Sequence, residues 1–182
     1  NYPDLHLELS YLVLNTEDLN SYSFDIAVSR LPVSRPLYNQ RVIYRTKLIL
    51  CASLEYLRQH GEPQTLDELH QHKLILLASE SNAGKLHAIS EVNSAKVDLD
   101  LDVSIFHNSS IAADEILGLG IGLTFVLDYD MSERLACGSV KRILPDYHFG
   151  EVKFFLINSN FECSKKHEIF TKFVLKCLER SE

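Results

Sequence analysis

The sequence predicts an α/β protein, and three observations carry that expectation. Strand-like and helix-like apolar patterns alternate along the whole chain. Leu48-Ile49-Leu50 is apolar at consecutive positions, as a central strand covered on both faces requires. From Ser164 onward the pairs Ile169/Phe170, Phe173/Val174 and Cys177/Leu178 recur every four residues, the apolar stripe of an amphipathic helix.

Each element has its own local reason. Leu5, Leu7 and Leu9 alternate with polar residues as in a half-buried strand. Asn15 or Thr16 before Glu17-Asp18 gives an N-cap with acid in the first turn, so a short helix is expected up to about Ser23. Residues 24–29 then read as a buried strand, and strand, helix, strand implies a right-handed crossover and a parallel sheet. A proline-rich bend over 32–36 precedes an extended stretch over 41–52. Ser53 opens a helix that stops at Gly61. Thr65-Leu66-Asp67-Glu68 has the form of a capping box, Thr at the cap and Glu three residues on, so a helix is expected over 66–71.

Residues 73–77 form the next strand. From 96 to 106, Val97, Leu99, Leu101, Val103 and Ile105 alternate with Asp98, Asp100, Asp102 and Ser104, which predicts one strand with a wet face. Asn108-Ser109-Ser110 caps a helix closed by Gly118, and residues 121–126 return as a strand. A helix over 128–137 ends at Gly138, and strands follow over 140–144 and 152–157.

Composition narrows the function. The 182 residues are 46% hydrophobic and 24% charged, which excludes disorder and a disulfide-stapled mini-protein. At roughly 150 residues per domain the length allows one domain or two small lobes, and 7 Gly with 5 Pro leave no flexible linker between them. No apolar run approaches the roughly 20 residues that span a bilayer, and the first residues lack the form of a signal peptide, so a cytoplasmic protein without a membrane partner is expected. A net charge of -7 repels phosphate backbones, so this chain by itself is not expected to bind DNA. The cysteines at 51, 137, 163 and 177 have no zinc-ligand spacing and are expected to be reduced and mostly buried. His70 and His72 lie two apart, on opposite sides of a helix, so no metal site and no cofactor are expected.

Gly118-Leu119-Gly120-Ile121-Gly122 follows a helix and opens a strand, the reverse of a dinucleotide-binding turn. No arrangement of nucleophile and base stands out, so no catalytic residue is expected. Ligands in open α/β sheets collect at the carboxyl ends of strands, where helix N-termini offer free N–H groups. Thr16 and Asn108-Ser109 are candidates of that kind, although helix capping alone accounts for both. Arg30 directly follows the strand over 24–28, at the place of a cleft, and a surface salt bridge is the competing reading. Ser79, Ser81 and Asn82 follow the strand over 73–77 in the same way, or form a plain loop.

In order and spacing, several segments resemble the effector-binding domain of LysR-type transcriptional regulators. Tyr2-Pro3-Asp4-Leu5-His6-Leu7-Glu8-Leu9 resembles Y-P-x-V/L-x-L-x-L, and Phe24-Asp25-Ile26-Ala27-Val28 resembles F-D-L-A-I. The run from Leu48 through Ala52-Ser53 and Tyr56-Leu57 to Gly61 resembles the family's strand and helix, and Leu66-Asp67-Glu68-Leu69 with His72 resembles the next helix. Ala112-Ala113 leading into Gly118-Leu119-Gly120-Ile121-Gly122-Leu123, and Gly138-Ser139-Val140, complete the series.

The resemblance implies two Rossmann-like lobes of type II periplasmic-binding-protein architecture, joined by two crossing strands with a small-molecule cleft between them. Lobe I would be residues 1–45 plus 159–182, and lobe II residues 46–158. It also implies a non-enzymatic sensor with Arg30 and the loop of Ser79 to Asn82 at a small effector, a homodimer or tetramer, and DNA contacts only through an N-terminal winged helix-turn-helix, while the positions of Arg30 and of the helix start at Asn108-Ser109-Ser110 make a small anion the expected effector. The family's first strand and helix would precede Tyr2, so a piece of a longer protein with an incomplete lobe I is expected. A transport-type solute-binding protein shares the fold and is the rival reading. An export signal or a DNA-binding head upstream separates the two.

Overall fold

The computed structural model describes residues 8–10, 21, 23–34, 36, 38–77, 84–107, 109–159 and 165–179. The chain divides into two units, residues 1–45 with 153–182 and residues 46–152, so it passes between them twice. The second passage falls at 152/153, where the sequence expectation put it at 158/159.

Unit 2 is built on a sheet whose central members are apolar on both faces. β2 (Tyr38–Ser53) enters it and lies between β7 (Leu123–Leu127) and β8 (Val140–Ile143), antiparallel to both. β3 (Leu74–Leu77) runs parallel to β7 on one side and to β6 (Val103–His107) on the other. The alternation of side chains along β2 explains its unbroken apolar run. Leu50 and Ala52 face one core with Phe125, Leu74 and Leu76, whereas Ile49 and Cys51 face the other with Val126 and Met131. Burying each large apolar side chain contributes about 1.5–3 kcal/mol, and among the described residues of these strands Thr124 on β7 is the polar exception, fully buried with no hydrogen-bond partner for Oγ1.

One face is covered by α2 (Ser110–Leu119) and α3 (Asp128–Ala136), through Ala113, Leu117 and Met131. The other is covered by α1 (Leu54–His60), a 3-10 turn (Asp67–Gln71) and a small sheet of order β5-β4-β9. That sheet comprises β4 (Lys85–Ser90), β5 (Lys96–Asp100) and β9 (Tyr147–His148). Phe149, next to β9, stacks edge-on against Phe125 with centroids 5.0 Å apart.

In unit 1, β1 (Ile26–Ser29) pairs antiparallel with β10 (Glu151–Ser159), which lies between β1 and β2. Val33, Leu156 and Ile157 are its buried hydrophobes among the described residues, and half-buried Phe24, Leu31, Tyr38 and Phe155 pack around Val33 and Ile157. α4 (Lys165–Glu179) follows β10.

Several sequence expectations need correction. Glu8 to Ser10 have no regular structure and Leu9 is 80% exposed, while the rest of the expected first strand and the helix after Asn15 lie outside the described residues. β1 is half-buried, with Val28 half exposed, rather than fully covered. The capping box does not form. Glu68 accepts from the Gln64 N–H at 2.7 Å instead, and the segment winds as a 3-10 turn without a side-chain cap.

The single strand expected over 96–106 is two strands in different sheets. Leu101 turns into the core between them, held by its N–H on the Gly84 carbonyl at 2.9 Å. α2 runs through Gly118, and Gly120 is its cap, left-handed at φ +66 and packed so that a Cβ would stand 2.9 Å from Ser53 Oγ. Of the cysteines described, Cys51 is buried but Cys137 and Cys177 are exposed.

Candidate functional site

The parallel strands β3, β6 and β7 end on one edge of the unit 2 sheet, where the chain enters α2 and α3. Such an edge is where open α/β sheets take ligands, because successive chains diverge there and helix N-termini are aimed at it. The described residues leave a depression at this edge lined by Leu48, Leu77, His107, Ser110, Phe125 and Asp130, among others. Its volume is about 10 Å³, room for one water.

His107 ends β6. Its Nδ1 lies 2.9 Å from the Ser109 carbonyl, which can only accept, so Nδ1 carries the proton and the ring is fixed in one orientation. Ser109 is the N-cap of α2 in extended conformation, within the segment expected to cap this helix, though its side chain makes no capping bond. Its carbonyl accepts the Ala113 N–H at 3.0 Å. The start of α3 is treated differently. Thr46, buried on β2, accepts the Tyr129 N–H through Oγ1 at 3.3 Å, so that donor is already satisfied.

In unit 1, Arg30 stands exposed at the bend that ends β1, and no ion pair among the described residues holds it. The bend is built by its neighbours. Ser29 Oγ accepts the Leu31 N–H at 2.9 Å, and the Gln40 amide clamps Val33 from both sides, accepting its N–H and donating to its carbonyl, each at 2.9 Å. An exposed guanidinium on a rigid bend offers a planar two-pronged donor to a carboxylate or phosphate.

Among the other residues expected at the site, Thr16, Ser79, Ser81, Asn82 and Asn108 lie outside the described residues. His107 was missed from the sequence. The signal was available, since Val103, Ile105 and His107 share one face and His107 directly precedes the helix start. Among the described residues, no group of three or more His, Cys, Asp or Glu could hold a metal, and no helix is long and apolar enough to cross a membrane.

An α/β unit with an open edge of parallel strands, joined by two passages to a unit assembled from both ends of the chain, has the type II periplasmic-binding-protein-like fold. The chain belongs to the LysR substrate binding domain family, whose profile matches residues 1–174. It is similar to the HTH-type transcriptional activator TtdR of Escherichia coli K12, 27% identical over 150 residues, covering 81% of this chain and 47% of that protein. It therefore spans about half the length of that relative.

Among solved structures it resembles the regulatory domain of CrgA, a LysR-type transcriptional regulator from Neisseria meningitidis. The TM-score is 0.78 at 18% identity, covering 96% of this chain and 85% of the other. It also resembles the regulatory domain of AphB from Vibrio vulnificus, with a TM-score of 0.72 at 23% identity and coverage of 96% and 85%. Full-length AphB of Vibrio cholerae matches with a TM-score of 0.75 at 23% identity, covering 96% of this chain and 59% of that one.

Proposed function

We propose that this chain is the effector-sensing part of a bacterial, cytoplasmic LysR-type transcriptional regulator. It binds a small anionic metabolite and catalyses no reaction. The observation that carries this reading is the family match across residues 1–174, with an exposed Arg30 where β1 ends, held by no ion pair among the described residues. Occupancy favours one arrangement of the lobes through differential affinity, and a homodimer or tetramer passes the change to DNA-reading domains outside this chain.

The anionic preference has an electrostatic reason. Unit 2 carries 8 Lys+Arg against 16 Asp+Glu, whereas unit 1 carries 10 against 9, so attraction for a carboxylate must come from a local donor such as Arg30. Titration calorimetry with a panel of small mono- and dicarboxylates, set against neutral compounds of the same size, tests this. Binding confined to the carboxylates is the expected result. A panel in which only neutral compounds bind overturns the anionic reading, and an export signal encoded upstream would turn the assignment towards solute transport.

A further inference from the structure

Tyr56 is the only described residue of α1 that is buried, and its hydroxyl has two neighbours. The Lys73 N–H donates to Oη at 3.3 Å, and Oη lies 3.1 Å from His72 Nδ1. The phenol is 2% exposed, so its own proton has few places to go. With Oη already accepting from Lys73, the arrangement that satisfies every group has the hydroxyl donating to a bare Nδ1, the neutral imidazole with its proton on Nε2. His60 lies on the same ring, its centroid 4.5 Å from that of Tyr56, with His72 at 5.8 Å. Tyr56 therefore contacts two histidine rings, one from α1 and one from the segment that enters β3.

We infer that Tyr56 and His72 form an acid-sensitive latch, which fastens the segment between α1 and β3 while His72 is neutral and releases it when the ring takes a proton. Protonation puts a hydrogen on Nδ1. Oη is then approached by two N–H donors, and its own proton is stranded in a buried site, which costs free energy because an unsatisfied buried donor has lost its water.

The charged groups facing His72 are His60 from α1 and Glu68 from the 3-10 turn. Burial, and then His60, push the His72 ring below its ordinary value, with Glu68 opposing. A histidine lowered in the folded state binds its proton more readily when released. The latch is therefore fully closed above the ordinary imidazole value of about 6.5 and weakens as the pH falls below it. This gives the domain a response to mild acid that needs no ligand.

A double-mutant cycle on the whole chain tests the latch, using Tyr56→Phe, His72→Asn and the pair together, with melting temperatures taken at pH 7.5 and pH 6.0. The Asn amide oxygen can accept from Tyr56 at either pH. The parent should lose more melting temperature than His72→Asn between the two pH values, and the parent cycle's coupling should shrink. Hydrogen exchange read by mass spectrometry gives a local measure that survives if Tyr56→Phe folds poorly. Corrected for intrinsic rates, amides over 62–73 should exchange faster at pH 6.0 in the parent and not in His72→Asn. Equal pH dependence in parent and His72→Asn by both measures overturns the latch.

Discussion

Arg30 and Ser109 are the expected site residues that the structure describes, and they differ in what surrounds them. Ser109 is half-buried and its carbonyl is already used twice, whereas Arg30 is exposed on a bend whose geometry its neighbours hold. Arg30→Ala should therefore leave stability almost unchanged. Hydrogen bonds to a charged partner are worth about 1.5–3 kcal/mol, so under the proposed function it should weaken a carboxylate effector on the order of ten- to a hundredfold. Calorimetry showing unchanged affinity would make Arg30 an ordinary surface residue.

The cysteines give a second residue-scale contrast. Burial pushes the Cys51 thiol up to about 12, while hydrogen bonding with Ser139, aided by the Arg134 charge, holds the exposed Cys137 thiol below its ordinary value. Because the thiolate is the reactive form, iodoacetamide at neutral pH should modify Cys137 at least about a hundredfold faster than Cys51, read site by site by mass spectrometry. Comparable rates would mean that Cys51 is not shielded as its burial implies.

Whether an element was readable from the sequence depended on whether its cause was local. β2, β3, β7 and α4 announce themselves by periodicity, and Ser53 caps α1 as its position suggests, accepting the Tyr56 N–H at 3.2 Å. The break between β5 and β6 has a distant cause. Gly84 sits at φ +83 with its missing Cβ 2.2 Å from the Leu101 carbonyl, so the turn out of one sheet into another is decided by a residue 17 positions away. The same holds for Gly120, chosen over Gly118 as the end of α2 because Ser53 packs against it. β4 escaped notice because only Leu86 and Ala88 mark its buried face. At the candidate site, treating 96–106 as one strand ended β6 a residue early and hid His107.

Gly84 also supplies an element-scale prediction, with Gly138 as its control. Both have positive φ, but nothing lies within 4 Å of a Cβ built on Gly138. Gly138→Ala should cost about 1–2 kcal/mol for the left-handed backbone alone, and Gly84→Ala upward of about 3 kcal/mol because a backbone carbonyl must also move. Urea denaturation distinguishes them. Equal losses would mean that the β5–β6 crossing adjusts freely.

Across the whole molecule, stability is unevenly supplied. Unit 2 has two buried clusters, one on each face of its sheet, while the described part of unit 1 has one small cluster, Val33 and Ile157 with a half-buried ring around them, besides the buried Leu156. Cooperative protection follows apolar burial, so regions with thinner cores open at lower free energy. Amides of β3, β7 and the Leu48 to Ser53 end of β2 should therefore outlast those of β1 and α4 in native hydrogen exchange. The same gradient makes unit 1 the sensitive reporter of binding. A ligand that binds only the folded state at a hundred times its dissociation constant adds about 2.7 kcal/mol, and it adds this to the openings it must oppose. If Arg30 anchors the effector, saturating ligand should slow exchange in β1 most, and Arg30→Ala should abolish that slowing at the same concentration. Protection that rises uniformly over both units, or only in unit 2, would place the anchor away from β1.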